Sequence, residues 1–356
     1  MIRYGIIGSG MMGCEHIRNV EAIDGACVVA AADPHPESLD MARLSCGERG
    51  PELSVFADYR QMLAQPEVDA VVVASPNHTH GEVMEAVFDS GKHVLLEKPM
   101  CTTLDQCRRV VERAASHPGV VQVGLEYRFM PHIAQFLREL PSVGEVKMLF
   151  IREHRFPFLP KVGDWNRFNR NTGGTLVEKC CHFFDLMNLV MSSEPVRVYA
   201  SGAQDVNHLD ERYEGETPDI LDNAYVIVDY ADGARACLDL CMFAESSRNE
   251  QEIAATGTTG KLDVVIPDGT LVRGGREFRK WQKLPAEPDP RVAAGIKHTG
   301  FHYGASYVEH LAFLDAIRNG TPPEVTVQEG LASVAIGVAA HLSIDEGRPI
   351  AMTELA

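Results

Sequence analysis

The feature that most constrains this chain is a glycine-rich turn close to its start. Gly8-Ser9-Gly10-Met11-Met12-Gly13 directly follows the apolar run Tyr4–Ile7 and opens an amphipathic stretch, Met12–Ile23. Asp33 stands 20 residues beyond Gly13, at the end of a second apolar run, Cys27–Ala32. GxGxxG alone says little. Between a strand and a helix, with an acid at that distance, it is a dinucleotide-binding fingerprint. Gly8 permits the tight turn, Gly10 lets the backbone approach a pyrophosphate, and Gly13 lets the helix pack closely on the sheet. The helix start at Met11 and Met12 supplies N–H donors and positive potential. Asp33 can accept both ribose hydroxyls and would repel a 2′-phosphate, which favours NAD over NADP. Two alternatives stand beside this: packing glycines in a fold that binds no dinucleotide, and Asp33 as a cap for the helix over 34–44.

The same texture continues to about residue 125. Apolar runs at Ala70–Ala74, His93–Leu96 and Val120–Gly124 alternate with candidate helices Pro36–Leu44, Tyr59–Ala64, His80–Ser90 and Leu104–Ser116. Near-continuous apolar strands alternating with helices predict an α/β fold with a parallel sheet covered on both faces. Gly91 reads as a helix C-cap, and Thr103 with Gln106 as a capping box. Beyond this point the texture changes. Helices are expected at Pro131–Leu140 and Leu176–Met191, followed by alternating strands at Arg197–Gly202, Ala224–Tyr230, Ala234–Met242, Gln251–Thr256 and Lys261–Ile266. Helices over 303–319 and 327–345 close the chain, and Lys283–Arg291 reads as a surface loop. The organisation predicted is a nucleotide-binding domain over 1–125 and a mainly antiparallel α+β domain over 126–356.

Composition narrows the function. The 356 residues carry a net charge of −17 with no basic block, which disfavours nucleic acid and anionic membranes as partners. Uninterrupted apolar runs such as Val71–Ala74 and Ala335–Ala340 are far below a membrane span. Met1-Ile2-Arg3-Tyr4-Gly5 enters a strand at once, without the pattern of a signal peptide. The nine cysteines show no CxxC pair, so reduced thiols in a cytoplasmic protein are expected.

Two further polar groups fall at the ends of predicted parallel strands, where open α/β sheets bind ligands. They are Ser75-Pro76-Asn77-His78-Thr79-His80 and Glu97-Lys98-Pro99. Pro99 pushes Lys98 toward an extended backbone. Position alone leaves Lys98 open between a cofactor-cleft residue and a surface partner of Glu97. With these segments the chain resembles the Gfo/Idh/MocA oxidoreductase family. The matching residues are Gly8–Gly13, Ser75-Pro76-Asn77 with His80, Gly91-Lys92-His93-Val94 leading into Glu97-Lys98-Pro99, Arg128-Phe129, and Gly173-Gly174 leading to His182 and Asp185. The resemblance implies an N-terminal Rossmann domain, a C-terminal domain with a large open sheet, and a nicotinamide cofactor. It also implies a sugar or polyol substrate, and a homodimer or homotetramer built on that sheet. Ser75, Pro76, Asn77, His80 and Glu97 join the cofactor contacts, and Lys98 matches the lysine that contacts the nicotinamide ribose and the reacting oxygen.

Glu178, His182 and Asp185 are spaced i, i+4, i+7, along one face of a predicted helix. A histidine can take or return a hydroxyl proton near neutral pH, and a carboxylate one turn away can orient it. The resemblance makes His182 the catalytic histidine, with Glu178 where the family usually carries aspartate. Read from residues alone, His182 could equally be a core histidine. A metal site is not expected, since Glu178 and His182 lack a third ligand at convincing spacing. Lys179 is open between a second substrate cation and a solvated or structural one, with the balance toward the latter. Further substrate contacts are sought at Tyr127, Arg128, Trp165, Arg167, Asp185 and His302. Arg152, His154 and Arg155 form a basic cluster that suits an anionic sugar or internal ion pairs. The expected activity is NAD-dependent hydride transfer at a secondary hydroxyl. The competing readings are a redox-assisted glycosidase that keeps its NAD, and a non-catalytic NAD-binding regulator.

Overall fold

In a computed structural model that describes residues 1–292 and 295–355, the apolar runs of the first half line up as one parallel sheet. Its strands are β1 (Ile2–Ile7), β2 (Ala26–Ala32), β3 (Ser54–Phe56), β4 (Ala70–Val73), β5 (His93–Glu97) and β6 (Val121–Gly124), in the order β3-β2-β1-β4-β5-β6. Helices α1 (Met11–Glu21), α2 (Pro36–Ser45), α3 (Tyr59–Leu63), α4 (His80–Ser90) and α5 (Leu104–Ala114) connect them. The order reverses between β1 and β4, which opens a crevice at their carboxyl ends. Every residue of β4 is buried, as a strand covered on both faces requires. Gly91 ends α4 in the left-handed conformation, and the Thr103 side chain accepts from Gln106 N, as the capping signals predicted.

Next come α6 (Pro131–Glu139), β7 (Val146–His154), α7 (Asn169–Thr172), α8 (Thr175–Glu178) and α9 (Cys181–Met191). They are followed by β8 (Pro195–Ala203), β9 (Asn223–Tyr230), β10 (Arg235–Cys241), β11 (Gln251–Gly257), β12 (Gly260–Ile266), β13 (Leu271–Gly275) and β14 (Trp281–Lys283). Helices α10 (Ala305–Asn319) and α11 (Val327–Glu346) and the short β15 (Ile350–Ala351) close the chain. The nine strands from β7 form a second sheet, β14-β13-β12-β11-β7-β10-β9-β8-β15, antiparallel except between β7 and β10. Leu149, Ile151 and Glu153 of β7 are buried on the face that α9 covers. Met148, Tyr199, Tyr225 and Ile227 are exposed, and strand register places them together on the other face.

Two structural units emerge. Met1–Phe129, Lys161–Trp165 and Arg291–Leu331 form the first, and Met130–Pro160, Asn166–Pro290 and Ala332–Ala356 the second. The chain first leaves the first unit after Phe129, and residues 291–331 return to it. That return includes α10, whose buried face packs on the nucleotide-binding sheet side through α1. Helix α11 is long and apolar enough to cross a membrane by length and composition, yet half of it is buried inside the protein. A Cβ at its Gly337 would stand 2.7 Å from Leu176 O, the close approach of a core helix. All nine cysteines are unbridged.

Candidate active site

The glycine turn in the first unit leaves no room for side chains where the sequence has none. Gly8 has φ of +89°, and a Cβ there would meet the Ser75 backbone at 2.6 Å. A Cβ at Gly13 would lie 2.0 Å from Gly8 O, so α1 rests directly on the turn, whereas Gly10 faces open space. Helix α1 has no side-chain cap and no acid in its first turn, which leaves its N–H groups to an anion. Asp33 Oδ2 accepts from Ser9 N at 2.8 Å and Oδ1 from His35 N at 2.9 Å. His35, not Asp33, is the N-cap of α2, so the capping alternative falls away. Ser9 Oγ and Asn77 Nδ2 are buried without a hydrogen-bond partner among the described residues. These orphaned groups and the open approach at Gly10 fit the phosphates and hydroxyls of a bound dinucleotide.

Two residues expected to touch the cofactor have other occupations. The fully buried His80 ring places Nδ1 2.9 Å from Pro99 O and Nε2 3.0 Å from Ser75 O. It thereby bolts the Ser75-Pro76-Asn77 turn to the Glu97-Lys98-Pro99 turn. Burial holds its pKa below the usual histidine value, against those two carbonyl contacts. Glu97 Oε2 accepts from Lys98 N at 2.9 Å, and Oε1 lies 2.8 Å from His16 Nε2. His16 Nδ1 in turn faces His310 Nε2 at 2.9 Å. Burial would raise the Glu97 pKa, but His16 and Lys98 hold it below the carboxylate range. Glu97 therefore positions the backbone that carries Lys98. One residue before His310, Glu309 is fully buried, and neither of its oxygens has a hydrogen-bond partner among the described residues. Burial, then the charges of Glu126 and Glu97, push its pKa far up.

Of the expected substrate contacts in this unit, Tyr127 is buried, its ring 6.0 Å from that of His302. His302 Nδ1 stands 2.7 Å from Glu126 Oε1. The half-buried Arg128 gives its guanidinium to Glu329 Oε1 at 3.1 Å and to Glu324 O at 2.9 Å. Trp165 meets His78 edge-on, ring centroids 6.2 Å apart.

In the second unit, the approach to His182 is tightly fixed. Gly174 has φ of +90°, and a Cβ there would stand 2.2 Å from His341 Nε2. That nitrogen accepts from Leu176 N at 3.1 Å. Burial pulls the His341 pKa down to about 4, which keeps the ring neutral and able to accept. The expected single helix over 176–191 is broken: α8 ends at Glu178 and α9 starts at Cys181. Cys180 O accepts from both Phe183 N and Phe184 N at 2.9 Å, restarting the helix. Glu178 and His182 thus belong to consecutive helices, not one continuous face. Glu178, His182 and Asp185 are 6%, 2% and 3% exposed.

Arg167, expected as an exposed substrate donor, is buried, its Nε 2.9 Å from Glu211 Oε2. Lys179 is not solvated: its Nζ lies 2.9 Å from the fully buried Glu153 Oε1. The basic cluster divides by strand alternation. Arg152 and His154 pair with Glu252 at 3.3 Å and Asp239 at 2.9 Å on one face. Arg155 turns to the Glu153 side, 3.5 Å from Oε1. The sequence reading missed His16, His310, Glu153 and Gln251. A lone histidine in a helix gives no periodic signal, and β7 carries too many charges to announce a core strand.

Comparison with known proteins follows the same two-part division. Residues 2–125 match the oxidoreductase family model for an NAD-binding Rossmann fold. Residues 141–352 match the model for that family's C-terminal alpha/beta domain. A myo-inositol 2-dehydrogenase of Thermotoga maritima is 27% identical over 365 residues, covering 99% of both chains. A 2,7-anhydro-N-acetylneuraminate hydratase of Mediterraneibacter gnavus is 27% identical over 282 residues, 78% of this chain and 71% of its own. The structure of a levoglucosan dehydrogenase in complex with NADH shares the fold, with a TM-score of 0.85 at 20% identity over 99% of both chains. With both domain models matched across most of its length, the chain belongs to the Gfo/Idh/MocA oxidoreductase family and carries that family's NAD-binding Rossmann domain.

Proposed function

We propose that this protein is an NAD-dependent dehydrogenase acting on a secondary hydroxyl of a sugar, sugar derivative or polyol. The observation that carries the reading is Lys98, set at the end of β5 by the Glu97 carboxylate, in a chain whose Glu178 and His182 are each buried. The relative named myo-inositol 2-dehydrogenase supports the polyol class. When bound, NAD supplies the acceptor for the hydride leaving the carbinol carbon. His182 takes the hydroxyl proton, and Glu178 orients the imidazole and strengthens it as a base. Lys98 stabilises the negative charge growing on the substrate oxygen. Ser9, Gly10, Asp33 and Asn77 hold the adenosine and phosphate portions of the cofactor. A pure NAD sensor needs neither Lys98 nor the Glu178–His182 pair.

The test is purified protein with NAD, and separately NADP, against polyols, aldoses, uronates and aryl glycosides, following NADH absorbance and released aglycone together. NADH formation with a free sugar or polyol is the expected result. Lys98→Ala and His182→Ala should each lower turnover by at least about 10²-fold while retaining NADH binding; unchanged turnover in either removes its assigned role. The relative named a hydratase keeps a second reading alive, in which transient oxidation assists elimination and the hydride is returned. Aglycone release without net NADH would favour it. The exposed face bearing Met148, Tyr199, Tyr225 and Ile227 supports a homodimer or homotetramer formed through the second sheet, which light scattering would test.

A further inference from the structure

Two surface features of the second unit are opposite in charge and alike in exposing apolar side chains. At the turn between β13 and β14, every residue from 275 to 283 is exposed. Phe278 and Trp281 are 86% and 70% exposed. Around them stand Arg276, Arg279, Lys280 and Lys283, with Glu277 as the one acid, in a chain of net charge −17. Glu277 pairs with Lys280, Arg276 Nη1 donates to Thr258 O at 3.2 Å, and Arg279 lies over the Phe278 ring at 4.9 Å. Cations on an edge hairpin deter edge-to-edge strand pairing. That accounts for the charges and not for two large aromatic rings held in water.

The counterpart is the connection between β8 and β9. Residues 205–219 carry six acids against one arginine, Arg212. Val206 and Leu209 are 54% and 43% exposed, and Asp210 and Glu214 of the same segment are exposed with them. The segment is held from within. Asp222 Oδ2 accepts from Val206 N and Asn207 N at 2.8 and 2.7 Å. Glu211 Oε2 accepts from Arg167 Nε at 2.9 Å and from Tyr213 Oη at 2.8 Å. Those contacts occupy Glu211 and Asp222, while Asp210 and Glu214 take no part in them.

Strand order puts the two features at diagonal corners of one sheet. β14 is one edge strand, and β8 lies next to the other edge. β8 and β13 run in opposite directions, since every pair between them is antiparallel except β7 with β10. The chain therefore leaves β8 at one end of the sheet and turns out of β13 at the other. A two-fold axis lying along the open face, across that diagonal, carries each corner onto the other, so the contact forms twice. We propose that the protein pairs with a second copy of itself through these corners, the aromatic, basic hairpin of each copy seating on the apolar, acidic connection of the other. Opposite charge and shared apolarity select that occupant. A single-stranded nucleic acid could stack on the same rings, but the acidic remainder of the chain would repel it. The inference goes beyond the sheet-face assembly proposed above and needs only the two corners.

The experiment is sedimentation velocity of the full chain over a dilution series. The parent should associate as a dimer or a tetramer, and Phe278→Ser with Trp281→Ser should weaken that association at least about 10-fold, the size of an aromatic anchor at an interface. Charge reversal sharpens the test. One chain carries Arg279→Glu with Lys280→Glu, and another carries Asp210→Lys with Glu214→Lys. Alone, each should fall to half the parent's mass or less. Mixed, they should recover it, because each then offers the charge that the other lacks. All the substituted residues are exposed, and native circular dichroism checks that the variants fold. The inference is overturned if the parent is monomeric throughout, if the Phe278 and Trp281 variant associates as the parent does, or if the two folded reversed chains stay apart on mixing. A monomeric parent that binds a single-stranded oligonucleotide, and loses it with Trp281→Ser, overturns it in favour of nucleic acid. Tyr225→Glu, on the open face, separates the two assembly readings. Association lost there and kept in every hairpin variant supports the sheet face and overturns the corners. Recovery on mixing, with Tyr225→Glu still associated, does the reverse.

Discussion

Glu97 and Glu153 are both buried carboxylates near the end of a strand, one in each unit, and their oxygens are used differently. Glu97 engages one oxygen with His16 and the other with Lys98 N. Glu153 places two cations on one oxygen, and its other oxygen has no hydrogen-bond partner among the described residues. The first is closed: its charge and both acceptor positions are consumed inside the protein. The second keeps Oε2 unpartnered among the described residues. A closed carboxylate is architecture and owes its cost of burial to positioning something else. An open one keeps an acceptor that can still take a hydrogen bond. The distinction separates a filled carboxylate from an unfilled one where burial and residue type are the same.

The sharpest way to break this comparison is Glu97→Ala. Removing one member of a closed buried set should cost about 3–5 kcal/mol of stability and lower turnover at least about 10-fold by releasing Lys98. Urea unfolding and steady-state rates would check both, and no ligand should restore them. A smaller effect concerns acid. Glu97 lies below the carboxylate range and His341 near 4, so in both cases the unfolded chain binds protons first as pH falls. Their stabilisation is complete above the unfolded values and is lost on acidification. For His341 that window runs from 6.5 down to about 4 and is worth roughly 3 kcal/mol. His341→Gln, which can still accept from Leu176 N, should flatten the stability profile over that window. Equal slopes in the two proteins would discredit the assignment. The smallest expected stability effect is Gln251→Leu. Removing an unsatisfied buried oxygen should be nearly neutral for folding. A large loss of melting temperature would mean that Gln251 holds the strand pair together.

Much of the first unit could be read from its residues, because its rules are local. The Gly8–Gly13 turn, the alternation of apolar strands and helices, and the Gly91 cap each declare themselves within a few positions. What the sequence concealed joins distant segments. His16 and His310 are separated by 294 positions, and no periodicity links them. The side-chain partners of Glu97 and His80 within the protein are not legible in the sequence, since a strand end does not reveal which way a side chain is engaged. The helix over 176–191 looked continuous because no Gly or Pro interrupts it, yet the chain restarts at Cys180. Arg152, His154 and Arg155 looked like one cluster in linear order, and strand alternation sends them to opposite faces.

The His16–His310 contact has a consequence for how the chain is made. His310 lies 294 positions after His16, so synthesis delivers the last member of the Glu97–His16–His310 chain only when α10 has emerged. Domains generally fold as units, the N-terminal one first. Here the N-terminal sheet leaves the ribosome early and waits for a helix made near the end. The nucleotide-binding unit is thus begun first and completed late.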